Sequence, residues 1–353
     1  MAAFKDAFDR EACAGLARAY GLGPDFVDAA SKPLAGLELK ARVAHVADTL
    51  RAWLDPDWSR AVEQLLAGLP PALEDTEALG LGMVWWSACS VVERHGVEEP
   101  GPSLRALPEL TKRFSGEMAI RPLLRAHPEL SWEAVSRWAG DENPHVRRLA
   151  SEGTRPRLPW GGHLDHPPAW SLLDRLVDDP ELYVRRSVAN HLGDLAKDHP
   201  AESVQHAATW LRKPTEERRW VVRHGLRHLV KKGHEGALAL QGFSAPRIEA
   251  LSFEVSPQVV QFPGAVSFSL SGVLPDPQPL VVDLVVYFVT SRGPSPKTWK
   301  WSTKSHPAGP LALQRRYTLK PISTRRFQAG EHKVELQVNG RVLATTSFEL
   351  VMP

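Results

Sequence analysis

The tripeptide Val146-Arg147-Arg148 returns as Val184-Arg185-Arg186, and Val222-Arg223-His224 repeats it again, each step being 38 residues. Trp132 and Trp170 keep the same separation, and Trp210 follows 40 residues later. Acidic, proline-containing turns, "DENPH" and "DDPELY", precede the first two valines and mark where one helix ends and the next begins. Two helices per unit at about 40 residues is the period of HEAT-like repeats. One such unit cannot bury its apolar face alone. Neighbours must stack, and the chain is predicted to form a mainly α-helical solenoid with a concave surface.

Helical patterning fills the first 240 residues. The run 37–54, "LELKARVAHVADTLRAWL", aligns Leu39, Val43, Val46, Leu50 and Leu54 on one stripe that requires a partner helix, and 58–69 reads similarly. Near Pro246 the pattern changes to alternation. Phe253 and Val255, then Val266, Phe268 and Leu270, then Val334, Leu336 and Val338 leading into Asn339-Gly340, read as short strands and a two-residue hairpin. The expected organisation is a HEAT-like domain over 1–245 and a small all-β, immunoglobulin-like sandwich over 250–353. The label is architectural, since Cys13 and Cys89 are the only cysteines.

Two thiols make neither a disulfide framework nor a typical structural zinc site, and the 14 histidines fall in no metal-ligand spacing. No cofactor or metal is expected. No uninterrupted apolar stretch approaches a membrane span, and the first residues lack a signal-peptide core, so a reducing cytoplasm, no membrane and a monomer are expected. Charge is uneven along the chain. Residues 1–100 hold 9 basic and 16 acidic side chains, 101–250 hold 23 and 19, and 251–353 hold 11 and 6. Any polyanion-binding surface therefore belongs to the later two thirds.

The repeated corners place Arg147/Arg148, Arg185/Arg186 and Arg223/His224 on successive helices, with Arg227 nearby. They serve either as inter-repeat ion-pair ladders or as a phosphate-contacting row. "TRPRLPWGGHL" (154–164) interrupts a helical unit with prolines and glycines, leaving Arg155 and Arg157 in need of water or phosphate. Trp160 there is either a buried anchor or a surface for a nucleotide. Glu152 stands among these arginines. Glu117, after Ser115-Gly116, reads as the first turn of a helix, where the helix dipole favours it whether or not it has a chemical role. In the tail, "RGPSPKTWKWSTK" (292–304) carries Lys297, Lys300 and Lys304 beside Trp299 and Trp301 and reads as an inter-strand loop. A second cluster holds Arg315, Arg316, Lys320, Arg325 and Arg326. Trp299 is either a groove-reaching ring or a core residue.

"FSGEMAIRP", "NPHVRRLASEGTRPRLPW", "VRRSVANHLGDLAKDHP" and "RRWVVRHGLRHLVKKG" together resemble the AlkC family of bacterial DNA-3-methyladenine glycosylases, relatives of the AlkD-type HEAT-like enzymes. The likeness runs from about residue 10 to 245. Some members carry an immunoglobulin-like C-terminal domain. The resemblance implies a base-excision-repair glycosylase that hydrolyses the N-glycosidic bond of N3-methylated bases (3-methyladenine, 3-methylcytosine) in double-stranded DNA, without a conventional base-flipping pocket. It further implies Glu117 and Glu152 as catalytic carboxylates and Trp160 as the aromatic beside the lesion. Arg147, Arg148, Arg155, Arg157, Arg185, Arg186, Arg223 and Arg227 would contact the DNA backbone, with Lys297, Lys300 and Lys304 adding contacts from the tail. The alternative is a non-enzymatic HEAT-like scaffold for DNA or protein, which predicts the same arginine row but no reason for Glu117, Glu152 and Trp160 to converge. A methyl or phosphate hydrolase is weaker still, lacking metal ligands or a nucleophile–base pair.

Overall fold

A computed structural model describes residues 4–76, 78–167, 169–322 and 326–353. Helices come first: α1 (Arg10–Ala19), α2 (Pro24–Ser31), α3 (Leu39–Trp53), α4 (Trp58–Ala67), α5 (Trp86–His95), α6 (Pro100–Thr111), α7 (Ile120–Ala126), α8 (Pro128–Trp138) and α9 (Pro144–Gly153). A short hairpin of β1 (Arg157–Leu158) and β2 (Gly162–His163) follows. Then come α10 (Trp170–Leu176), α11 (Leu182–Asp198), α12 (Pro200–Trp210), α13 (Glu216–Gly225), α14 (Arg227–Lys231) and α15 (Glu235–Ala239). The chain divides into two compact units, Met1–Asp198 with Lys213–Gly225, and His199–Arg212 with Leu226–Pro353.

Local chemistry sets many of the helix starts. Asp9 and Asp57 accept hydrogen bonds from the backbone N–H of Ala12 (2.8 Å) and Arg60 (3.0 Å). Proline opens α6, α8, α9 and α12, where its missing N–H costs nothing. The predicted stripe of α3 is realised, with Val43, Val46 and Leu50 buried and α5 packed against the helix. In the first unit α9, α11 and α13 lie side by side, and Val146, Val184 and Val222 are 0%, 0% and 1% exposed. The repeated valine is thus the residue each helix presents to its neighbours, which makes the array a HEAT-like α-solenoid. The tryptophan spacing is not a repeat marker. Trp132 lies inside α8, Trp170 opens α10 and Trp210 closes α12, because the hairpin inserted after α9 delays and shortens α10.

The second unit contains a sandwich of β3 (Glu249–Ser256), β4 (Val259–Gln261), β5 (Gly264–Leu274), β6 (Gln278–Phe288), β7 (Ser295–His306), β8 (Gly309–Leu319), β9 (Gly330–Val338) and β10 (Arg341–Val351). One sheet runs β3-β5-β8 and the other β4-β10-β9-β6-β7, with β4–β10 parallel and the other pairs of these strands antiparallel. The alternating residues read from the sequence fill its core, Val266, Phe268, Val334, Leu336 and Val338 being fully buried. Asn339-Gly340 forms the β9–β10 turn with both residues at positive φ. Asn339 also receives the Val281 N–H (2.7 Å) and donates to the Ser244 and Pro279 carbonyls.

The turn between α14 and α15 sits against that hairpin. Gly233 has φ +77°, and a Cβ placed there would lie 2.0 Å from Gln337 Nε2 and 2.8 Å from Gly340 Cα. Gly233→Ala is therefore expected to cost about 2 kcal/mol from left-handed strain and overlap. Thermal unfolding of the purified variant measures it, and an unchanged melting temperature would contradict this packing.

Candidate active site

Arg148 and Glu152 are four residues apart on α9, and Arg155 follows just past its end, so one face of the chain presents cation, anion, cation. α7 approaches closely because residue 153 is glycine, a Cβ there falling 2.5 Å from Ile120 Cγ2. The turn entering α7 then brings up Glu117. Arg148 Nη1 donates to Glu117 Oε2 (2.8 Å) and to Ser115 Oγ (3.0 Å), while its Nη2 stands 3.8 Å from Glu152 Oε1. Arg155 Nη1 donates to Glu152 Oε1 (2.5 Å), and its Nε donates to Asp194 Oδ2 (2.8 Å). Ser187 Oγ on α11 donates to Glu152 Oε2 (2.6 Å). Lys197 closes the series on Asp194 at 3.1 Å. The result is a chain of alternating charge, Glu117–Arg148–Glu152–Arg155–Asp194–Lys197.

Burial makes these charges expensive, so their mutual pairing is compulsory. Glu152 is 6% exposed. Desolvation pushes its carboxyl upward, but Arg148, Arg155 and the Ser187 hydroxyl overcome it and hold the group below the usual glutamate range. Arg148 is likewise penalised by burial and held in its charged form by Glu117 and Glu152. The Tyr183 ring lies under the Arg148 guanidinium at 4.9 Å and meets His145 edge-on at 5.4 Å. Burial, then His166 and Arg155, takes His191 down to about 3, leaving it neutral. Its Nδ1–H donates to the Ser151 carbonyl (3.1 Å).

Trp160 sits at the tip of the β1–β2 hairpin, 61% exposed and at φ +65°, a strained conformation for a bulky residue. Arg121, 1% exposed, holds that loop from α7 by donating to the carbonyls of Gly153, Arg155, Gly161 and Gly162. Burial, then Arg125 and Arg155, lowers Arg121 to about 10, so it stays charged at neutral pH. Lys40 donates to the Trp160 carbonyl at 2.9 Å. The Trp160 ring stacks on Trp86 (6.0 Å, 16°), which stacks on Phe114 (5.7 Å, 21°), next in sequence to Ser115. Trp160 is therefore an open ring backed by two others rather than a buried anchor. Through Phe114 the stack leads to the Glu117 turn.

Glu117 and Glu152 are thus joined by one guanidinium, and Trp160 is tied to the same two segments through Arg121 and the aromatic stack. Glu117 lies in the turn before α7, which starts at Ile120, rather than inside the helix's first turn, because the Gly116 carbonyl accepts the Ala119 and Ile120 N–H groups.

The proposed phosphate row divides. Arg147 bonds both Asp179 oxygens (2.6 and 3.0 Å) and the Asp141 and Glu142 carbonyls, using four of its five donors. Arg185 turns back in the same way to the Asp179 and Pro180 carbonyls. Arg148 and Arg155 belong to the carboxylates, and Arg157 pairs with Asp198. The first arginine of each of the two Val-Arg-Arg corners thus satisfies carbonyls before its own helix, and Arg147 also pairs with Asp179 of the next repeat. Arg186 and Arg223 are exposed, with no hydrogen bond or ion pair among the described residues, and Arg227 is exposed. In the sandwich, Lys297, Lys300 and Lys304 are exposed, but on strand β7 rather than in a loop. Trp299 stacks on Tyr317 (4.3 Å) and packs on the core, and Trp301 is buried. Lys300 pairs in register with Asp283, whose carboxyl burial pushes up to about 6. Arg315, Arg316, Lys320 and Arg326 are exposed, and Arg325 lies outside the described residues.

Sequence reasoning did not single out Arg121, Ser187, Tyr183, Trp86 or Lys40. A usable signal existed for Arg121, a lone cation in the apolar run "MAIRPLL".

Helical pairs that bring two glutamates onto one largely enclosed arginine, followed by an immunoglobulin-like sandwich, define a HEAT-like repeat protein with a dicarboxylate site. A family profile described as the C-terminal Ig-like domain of uncharacterised protein YhaZ matches residues 249–352. The uncharacterised protein YhaZ of Bacillus subtilis (strain 168) is 32% identical over 268 residues, 73% of this chain and 74% of that one. The structure of Pseudomonas fluorescens alkylpurine DNA glycosylase AlkC, bound to DNA containing an abasic site analog, superimposes with a TM-score of 0.84 and 33% identity. That match covers 99% of this chain and 100% of the other. The chain belongs to the AlkC family of alkylpurine DNA glycosylases.

Proposed function

We propose that this protein is a DNA glycosylase of base excision repair, acting on N3-methylated bases in double-stranded DNA. The observation that carries the activity is the end-to-end match to AlkC, a glycosylase seen on abasic DNA. The chemistry of the site supports the lesion class. Methylation at N3 makes the base cationic, so it departs with the bonding electron pair and without protonation. Among the described residues, neither Glu152, held ionised, nor its neighbour His191, held neutral, is set up as an acid for a leaving base. What such a reaction needs is negative charge beside the cationic sugar left behind, and a water oriented at its anomeric carbon. Glu117 and Glu152 supply the charge, and the open face of Trp160 receives the lesion or its sugar.

Within the expected phosphate row, Arg186 and Arg223 are exposed without a hydrogen bond or ion pair among the described residues, and we assign them, with the exposed Arg227, to phosphates. The lysines of β7 add contacts from the sandwich. No helix among the described residues is long and apolar enough to cross a membrane. The free buried cysteines Cys13 and Cys89 suit a reducing cytoplasm, in which we place the protein as a monomer. A purely scaffolding role would leave the cost of burying the Glu117–Arg148–Glu152 group without a purpose.

Incubation with methylated DNA, followed by chromatography of the released bases, tests the activity. Free 3-methyladenine and 3-methylcytosine are expected, and folded protein that releases neither would remove the glycosylase assignment. A Lys297→Glu, Lys300→Glu, Lys304→Glu variant is expected to bind DNA more weakly. Its log-affinity should fall with log-salt less steeply, by about 1 to 3 units of slope for that many lost phosphate contacts. An unchanged slope would take β7 out of the DNA interface.

A further inference from the structure

Building on the glycosylase reading above, we propose that the two carboxylates divide the work: Glu117 meets the sugar cation and the attacking water directly, and Glu152 acts only through Arg148. A group that touches the reacting atoms is best served by an oxygen engaged by no other partner and a path to it. Glu117 has both. Its Oε2 accepts from Ser115 and Arg148, while its Oε1 has no hydrogen-bond partner among the described residues, and the side chain is 18% exposed. Glu152 has neither. Its Oε1 is taken by Arg155 and its Oε2 by Ser187, and its side chain is 7% exposed, enclosed between α9 and α11.

The electrostatics give Glu152 a different task. Arg148 alone beside Glu117 would neutralise it and leave no net charge for a developing cation. Glu152, 3.8 Å from the other Nη of Arg148, restores a net negative group. Arg155 and Asp194 pair with each other at 2.8 Å, and Lys197, at the far end of the series and 40% exposed, has its charge screened by solvent, so the net negative charge stays at the Glu117 end. Tyr183 fixes the guanidinium in place from beneath. Glu152 is therefore a positioning residue, and its effect on the reaction passes through one cation.

A double-mutant cycle on the full-length protein separates the roles, with single-turnover release of methylated base as the readout and thermal unfolding as the check on folding. Glu117→Gln is expected to cost about a hundredfold, whether Arg148 is present or replaced by Met. Glu152→Gln is expected to cost about tenfold with Arg148 present but under about twofold in the Arg148→Met background, because there is no cation left to offset. If Arg148→Met does not fold, Arg148→Lys replaces it. An ammonium cannot span both carboxylates as the guanidinium fork does, so the Glu152→Gln cost is again expected to shrink. A Glu152→Gln cost that is the same in both backgrounds, or as deep as that of Glu117→Gln, would overturn the division of labour. Wild-type protein releasing no methylated base would instead remove the glycosylase reading itself.

Discussion

One guanidinium shared by two carboxylates organises the site. Arg148 is buried enough that it must be paired, and the fold supplies partners from three segments: Glu117 from the turn before α7, Glu152 from its own helix, and the Tyr183 ring from α11. Removing one member of such a group strands a buried charge, typically at a cost of about 3–5 kcal/mol. Each pair of neighbouring segments is therefore held in register by charge as well as by packing. The alternation continues through Arg155 to Asp194, so α9 and α11 are tied together twice along one face.

A second buried arginine does comparable work on the loop. Trp160 occupies backbone space that a tryptophan rarely adopts, and Arg121 offsets that strain by satisfying the Arg155 carbonyl before the hairpin and the Gly161 and Gly162 carbonyls after Trp160. The same side chain caps carbonyls at the end of α9, next to Glu152. An exposed ring thus has a fixed position relative to a buried carboxylate, which a mobile loop could not provide. Such preorganisation suits a reaction in which charge must already be in place when the bond breaks.

The repeat and the strand alternation were legible in the sequence because both are local periodicities: Val146, Val184 and Val222 mark one helix face, and Val334, Leu336 and Val338 mark one sheet face. Glu117, Glu152 and Trp160, which the resemblance singled out, lie on segments that Arg148 and Arg121 join. What each arginine does was not legible, because its partner lies on the next helix. Arg147 finds Asp179, Arg155 finds Asp194 and Arg157 finds Asp198, at separations of 32, 39 and 41 residues, close to one repeat length. For Arg147 the repeat had already raised an inter-repeat ion-pair ladder as one reading, without naming Asp179 as the partner. Composition alone reads such arginines as phosphate ligands. Lys297, Lys300 and Lys304 were placed in a loop because Pro and Gly precede them, although the pairing of β7 with β6 carries the strand through all three.

The account rests on a carboxylate that stays ionised while buried. Site-specific carbon-13 labelling of glutamate side chains, with Glu152→Gln to assign the resonance, measures this directly. Since Arg148 and Arg155 depress the folded-state pKa, Glu152 contributes stability above its unfolded value of 4.5, and that contribution is lost as pH falls through the depressed one. The Glu152 resonance is expected to hold its ionised position down through pH 4.5 and to move only below it. A titration midpoint above 4.5 would contradict the shared-arginine account of the site.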